Sequence, residues 1–434
     1  TVDLTIMTAP SLTELATMAP PLSSTAAFVI DSDYVNISRM KIAPTVPLTY
    51  GIKSSARYVD ISSVTIDGGD NLWYAGIALS SHSAVSYSSI TVRQASGLLV
   101  TGSTNTITKT YLANDSSGSA ARLMSSRYNL ITGSTMTVPT SSTDPALDMV
   151  GASYSTVTLS MIQGGKTLAA KLSSNSDGNV LSLSTFTTTG GNGISNALYL
   201  TGGSSSNIIS QCYAGAIAGG TGDNIAILID GNATFNAVRW STAVVSGSGV
   251  GYGLQLSGAS SNTISNSFIY SDEVTAVRLD ANASYNTITL RTMVSNLYSG
   301  RFGLELNNVS SNTISGNYIQ GSTAVWVSGA TGTILTYNVL VATNTTGAGA
   351  RFSGGVNLTV SSNTIYALGA GIQLNAGNSG LITVTSNTVV SGARYGIYTA
   401  NQPGATIWIA SNTLIATPST LVDTYGVYLD NLTS

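Results

Sequence analysis

Glu305, Arg278 and Arg351 occupy one position of a recurring Gly-Ile-x-Leu phrase, and the side chains at that position are the first candidates for chemistry. In chain order they are Lys53, Ala78, Leu99, Arg122, Asp148, Lys171, Tyr199, Leu228, Gln255, Arg278, Glu305, Trp326, Arg351, Gln373, Tyr398 and Tyr428. Seven of these sixteen are charged, in a chain only 8% charged. Charge and aromatic rings concentrated in one row fit a surface that binds sugars, with rings against sugar faces and polar heads on hydroxyls. The candidate glycan strip is Tyr199, Gln255, Arg278, Glu305, Trp326, Arg351, Gln373, Tyr398 and Tyr428. A structural reading competes with it. Arg122/Asp148/Lys171 and Arg278/Glu305 would then be pairs on adjacent repeats that fix register, each exposed pair contributing about 0.2–1 kcal/mol.

Catalytic constellations are poor. Glycoside hydrolysis needs two carboxylates about 5–9 Å apart, and Glu305 has no acidic neighbour in its row. Acidic residues are densest at Asp31, Asp33, Asp60, Asp67 and Asp70. In Asp67-Gly-Gly-Asp70 the turn carboxylates Asp67 and Asp70 are weak Ca²⁺ candidates, since turn aspartates are common without metal. His82, in Ser80-Ser-His-Ser83, has no nucleophile elbow around it. Cys212 reads as a substitute for a small core residue. The expectation is no catalytic residue, no cofactor and no metal.

Composition narrows the partners. Sixteen Lys+Arg against nineteen Asp+Glu give a net charge of −3 over 434 residues, with no basic footprint for nucleic acid. No run of eighteen apolar residues is present, so no membrane span is expected. One Cys excludes an internal disulfide framework.

The elements that position the row are set by repetition. Asn-x-Ile-type phrases begin at Asn105, Asn129, Asn179, Asn207, Asn236, Asn262, Asn286, Asn312, Asn338, Asn363, Asn387 and Asn412, with Ser155 in the one remaining slot. Successive spacings lie between 24 and 29 residues. Each repeat holds three short alternating segments rich in Ile, Val and Thr, separated by Gly/Ser/Asn turns, which marks strands with one face inward. The pattern predicts an all-β chain: a single right-handed parallel β-helix, a β-solenoid of about 16 coils of about 25 residues. An Asn at the same turn of every coil tolerates tight-turn backbone and can bond along the axis to the next amide. We therefore expect one structural Asn ladder from Asn105 to Asn412.

Those Asn-Thr-Ile and Gly-Ile-x-Leu phrases, across residues 28–430, resemble the parallel β-helix repeat proteins of the pectin-lyase-like superfamily. The resemblance implies the fold. For activity it leaves polysaccharide lyases, glycosidases, phage tailspikes, adhesins and structural surface proteins open.

Residues 1–27 are expected to be a lead-in or cap, with a short helix from Ser11 through Met18 on the capping-box pattern Ser11-Leu-Thr-Glu14. Residues 28–434 would form the β-helix, continuing past the C-terminal end because Tyr425–Ser434 repeats the frame of Phe302–Ser311 where another Asn phrase is due. The leading functional expectation is a non-catalytic extracellular or cell-surface element, structural or adhesive, touching a polysaccharide or cell-surface glycan. The alternatives are a polysaccharide lyase or glycoside hydrolase, and a filament or surface-layer subunit that self-associates end to end.

Overall fold

In a computed structural model the chain forms parallel β-solenoid coils of three short strands each, with about 15–16 turns in all. The structure describes residues 4–7, 16–18, 25–189, 194–272, 274–289, 292–296, 300–392, 395–400, 402, 404–416 and 425–430. It falls into two compact units, Thr1–Gly222 and Asp223–Ser434.

Within the first unit each residue lies over its equivalent one coil on. On the first face the inward column runs Ile37, Ile61, Val85, Ile107, Ile131, Val157, Leu181 and Ile209. On the second it runs Ile42, Ile66, Ile90, Leu112, Met136, Ile162, Phe186 and Ala214. The third column is Ile52, Ile77, Leu98, Ala121, Leu147, Ala170 and Leu198. The second unit repeats the arrangement, for example Leu254, Val277, Leu304, Val325, Ala350, Ile372, Ile397 and Val427 on its third face. Almost all of these side chains are fully buried. A buried aliphatic contributes about 1.5–3 kcal/mol, and a coil collects that only from its neighbours, so the coils stabilise one another.

The phrase glycine has a steric cause. At Gly371 a Cβ would lie 2.1 Å from Val389 Cγ1 and 2.4 Å from the Gly396 carbonyl oxygen, so the backbone of one coil passes directly over the next. Corners are made by single residues in the left-handed region, many of them bulky: Tyr34, Tyr58, His82, Tyr128, Tyr154, Phe235 and Tyr285, with φ between 54° and 63° in all seven. Non-glycine residues rarely adopt that conformation. Here the backbone bonds on both sides hold it, as where Tyr58 N–H donates to the His82 carbonyl at 2.9 Å.

The asparagines form two ladders, a correction to the single one expected. The first stands at the corner before the first-face strand. Asn105 N–H donates to Asn129 Oδ1 at 2.9 Å, Asn129 N–H to Ser155 Oγ, Ser155 N–H to Asn179 Oδ1, and Asn179 N–H to Asn207 Oδ1. In the second unit Asn236, Asn262, Asn286 and Asn312 are linked in the same way. There this ladder stops, because Thr313 lies beside Ile334, which puts Thr333 rather than Asn338 over Asn312. Asn338 belongs to the corner after the first-face strand, over Asn317, whose N–H donates to Asn338 Oδ1 at 2.9 Å. Asn363, Asn387 and Asn412 continue that second ladder. Upstream the same corner is held by hydroxyls, with Ser134 N–H donating to Ser160 Oγ and Ser160 N–H to Ser184 Oγ.

The N-terminal helix is not found where its C-terminal end was expected. Ala16–Met18 is a strand paired with Met40–Ile42, and Leu4–Met7 pairs with Val35–Ser38, so coil formation begins ahead of residue 28. Ser11–Glu14 lie outside the described residues, as do 431–434.

Candidate functional site

The outward position of the Gly-Ile-x-Leu strands stacks in register. In the first unit the row is Lys53, Ala78, Leu99, Arg122, Asp148, Lys171 and Tyr199. In the second it is Gln255, Arg278, Glu305, Trp326, Arg351, Gln373, Tyr398 and Tyr428. The row is not uniformly open: Leu99, Asp148 and Leu228 are only 5–9% exposed.

Its charges pair only in part as expected. Arg122 Nε lies 3.2 Å from Asp148 Oδ2, as the adjacent-coil reading requires. Burial pushes the Asp148 carboxyl up from its ordinary value, with Arg122 and Lys171 opposing. Lys171 sits over the Tyr199 ring at 5.9 Å. Arg278, expected to pair with Glu305, forms its ion pair with Asp280 on its own strand, at 2.8 Å. Two residues along a strand return to the same face, so Asp280 reaches Arg278 without crossing to another coil. Gln255 Nε2 donates to the same Asp280 oxygen at 2.9 Å. Arg278 Nη1 donates to Tyr252 Oη at 2.5 Å, and the guanidinium lies 5.1 Å from that ring's centre. Glu305 Oε2 accepts from Thr275 Oγ1 at 3.4 Å. Burial pushes the Glu305 carboxyl up, and the Arg278 charge works against that.

The aromatic members mostly cover one another. Trp326 has the Phe302 ring 5.4 Å away and the Arg351 guanidinium 5.4 Å away. Tyr398 and Tyr428 stack at 5.9 Å with 8° between planes, with Tyr395 5.0 Å from each. The coil repeat of about 4.8 Å is close to a ring-stacking distance, so equal positions on adjacent coils shield each other's faces.

One opening interrupts this. A groove of about 310 Å³ is lined by Arg351, Gln373, Tyr395 and Tyr398, with Thr345, Thr346, Gly347 and Ala370 beside them. Arg351 Nε donates to Gln373 Oε1 at 2.8 Å and its Nη2 to the Thr346 carbonyl at 2.9 Å. Among the described residues no carboxylate lies within ion-pair distance of Arg351, and burial pulls its guanidinium below the ordinary value. The Gln373 side of Tyr398 faces this groove.

The remaining candidates stay apart. Asp70 is bonded to Arg93 at 2.8 Å, and among the described residues no group of three or more His, Cys, Asp or Glu converges. His82 sits at a corner, its ring 5.5 Å from Tyr58. Cys212 takes the hydroxyl's place in the second ladder, bonded to the Leu181 and Ser210 carbonyls, and burial pushes its thiol up to about 11. No described helix is long and apolar enough to cross a membrane.

Sequence reasoning missed Tyr252, Phe302, Tyr395 and Tyr425, which precede the phrase glycine and so form a second column beside the first. The Tyr/Phe-Gly pairs were the available signal.

The family model described as the right handed beta helix region matches residues 252–414. No curated protein sequence matches the chain. Among solved structures, the periplasmic alginate epimerase AlgG is similar at 10% identity and TM-score 0.39, covering 82% of this chain and 77% of that one. The Dettilon tailspike protein is similar at 12% and 0.35, covering 78% and 60%. The alginate lyase AlyF-OU02 is similar at 10% and 0.35, covering 89% and 86%. Likenesses of this size carry no argument about activity. The stacked coils make the chain a parallel β-helix repeat protein, and its residues 252–414 match the right handed beta helix region.

Proposed function

We propose that the chain is a non-catalytic β-helix scaffold, outside the cell or at its surface, whose outward row contacts an acidic polysaccharide through the Arg351–Tyr398 groove. The observation that carries this is Arg351: a half-buried cation with only neutral bonding partners, beside an aromatic ring that faces an opening. A groove of about 310 Å³ is at the lower end of small-ligand pockets, about 300–1,000 Å³, and suits one or two sugars of a longer chain. A carboxylate or sulfate there would complete charge-assisted, forked bonds to the guanidinium.

A lyase or hydrolase reading has one feature in its favour, the approach of Glu305 to Asp280, Arg278 and Tyr252. One oxygen of each carboxylate there is already bonded: Asp280 Oδ2 to Arg278 and Gln255, and Glu305 Oε2 to Thr275 Oγ1.

Affinity electrophoresis through gels containing polygalacturonate, alginate, dextran or galactomannan separates the readings. The expected result is retardation by an acidic polymer, weakened about tenfold in Arg351→Gln and in Tyr398→Ala, with no new reducing ends or unsaturated products. Cleavage products would establish the enzyme reading instead. Absence of retardation by both acidic polymers would overturn the proposal.

A further inference from the structure

The first unit holds another groove, whose chemistry differs from that of the Arg351 groove. Trp73 and Tyr74 open the strand Leu72–Leu79 directly after the 3-10 turn Gly69–Asn71. Their side chains, with Gln94, Leu99, Arg122 and Met124, line a depression of about 200 Å³. Leu99 belongs to the outward row yet is only 5% exposed, so it forms an apolar floor between raised walls. Trp73 is 64% exposed. Trp326 is covered by Phe302 and Arg351, and Trp240 lies beside Arg239. Among the described residues the Trp73 indole has no ring or cation against it. An indole left open at the wall of a groove is unusual, because exposed aromatic area in water is unfavourable.

The charges at this groove neutralise each other. Arg122 is paired with Asp148 at 3.2 Å, and Arg93, the chain neighbour of Gln94, with Asp70 at 2.8 Å. The Gln94 side chain, exposed at the groove, offers both a donor and an acceptor. An apolar floor, an open indole, an amide and no free charge together match a neutral pyranose: its C–H face on Trp73, its hydroxyls on Gln94. The volume is below that of pockets enclosing drug-sized ligands, so one ring is seated and the rest of the chain lies outside.

The geometry points to a second carbohydrate subsite, centred on Trp73, that takes a neutral sugar unit and works independently of the Arg351 groove. Tryptophan emission of the intact chain, titrated with maltohexaose, cellohexaose, mannohexaose and an oligogalacturonate, tests it. At least one neutral hexasaccharide should shift the emission, with calorimetry giving binding about tenfold weaker in Trp73→Ala, partly restored in Trp73→Phe, and unchanged in Arg351→Gln. Trp73 is exposed, and an unchanged melting transition in Trp73→Ala would show that the fold is kept. The subsite is overturned if no neutral hexasaccharide binds, or if Trp73→Ala binds it as well as wild type. Loss of oligogalacturonate binding alone, in Arg351→Gln, bears on the other groove and leaves this one standing.

Discussion

Asn363→Ala should lower unfolding stability by about 2–5 kcal/mol, read as a fall in the urea midpoint. Asn363 is 1% exposed and stands at the centre of a chain of bonds. Its Oδ1 accepts from the Asn338 backbone N–H at 2.9 Å and from Asn338 Nδ2 at 3.0 Å. Its Nδ2 donates to the Leu335 carbonyl at 2.9 Å and to Asn387 Oδ1 at 3.0 Å. Alanine leaves a buried N–H and weakens the bonding of a buried carbonyl, at about 1–3 kcal/mol for each unsatisfied group. Water has little access to replace them. Asn363→Ser should recover part of the loss, because serine already holds this corner upstream: Ser241 N–H donates to Ser267 Oγ at 3.1 Å. If the alanine and serine variants were equally unstable, the ladder's hydrogen bonds would not be what holds the corner.

Gly371→Ala should destabilise by about 1–3 kcal/mol or more, because it overpacks a site that cannot give. The two nearest atoms are a methyl of the buried Val389, at 2.1 Å, and the backbone oxygen of Gly396, at 2.4 Å. Val389 is fixed by its β-branch, and moving Gly396 would separate paired strands. A melting temperature of Gly371→Ala equal to that of the wild type would show that the glycine serves some purpose other than close coil approach.

The fold was legible because its cause is periodic. Strands of Ile, Val and Thr alternate at two residues, corners recur, and a glycine marks each close crossing. The outward row was legible for the same reason, down to which side chain lies beside which. The ladders were less so. Asn312-Thr-Ile-Ser-Gly-Asn317 carries an asparagine at both corners of one strand, and the phrase beginning at Asn338 looks like the phrase beginning at Asn312. A spacing of 26 between them reads as one coil. In three dimensions it is a coil of 21 residues, Asn317 to Asn338, plus the five residues between the two corners. Arg278's choice of Asp280 over Glu305 could not be read from the row either, because it depends on which carboxylate burial brings closer. In the aromatic strip, rings one coil apart cover each other, as Tyr398 and Tyr428 do, while Tyr398 also lines the groove beside Arg351.

The account depends on stacking in that register, since every row and ladder is defined by it. Two double-cysteine variants, each in a Cys212→Ser background, test it under mild oxidation. In Thr313→Cys/Ile334→Cys the paired residues are register partners, and adjacent strands lie about 4.8 Å apart, within the roughly 4.4–6.8 Å Cα separation a disulfide accepts. In Thr313→Cys/Val339→Cys they are partners only if Asn338 stacks on Asn312. The structure predicts rapid cross-linking of the first pair and none of the second, read as mobility under non-reducing denaturing electrophoresis. Cross-linking of the second pair and not the first would contradict it.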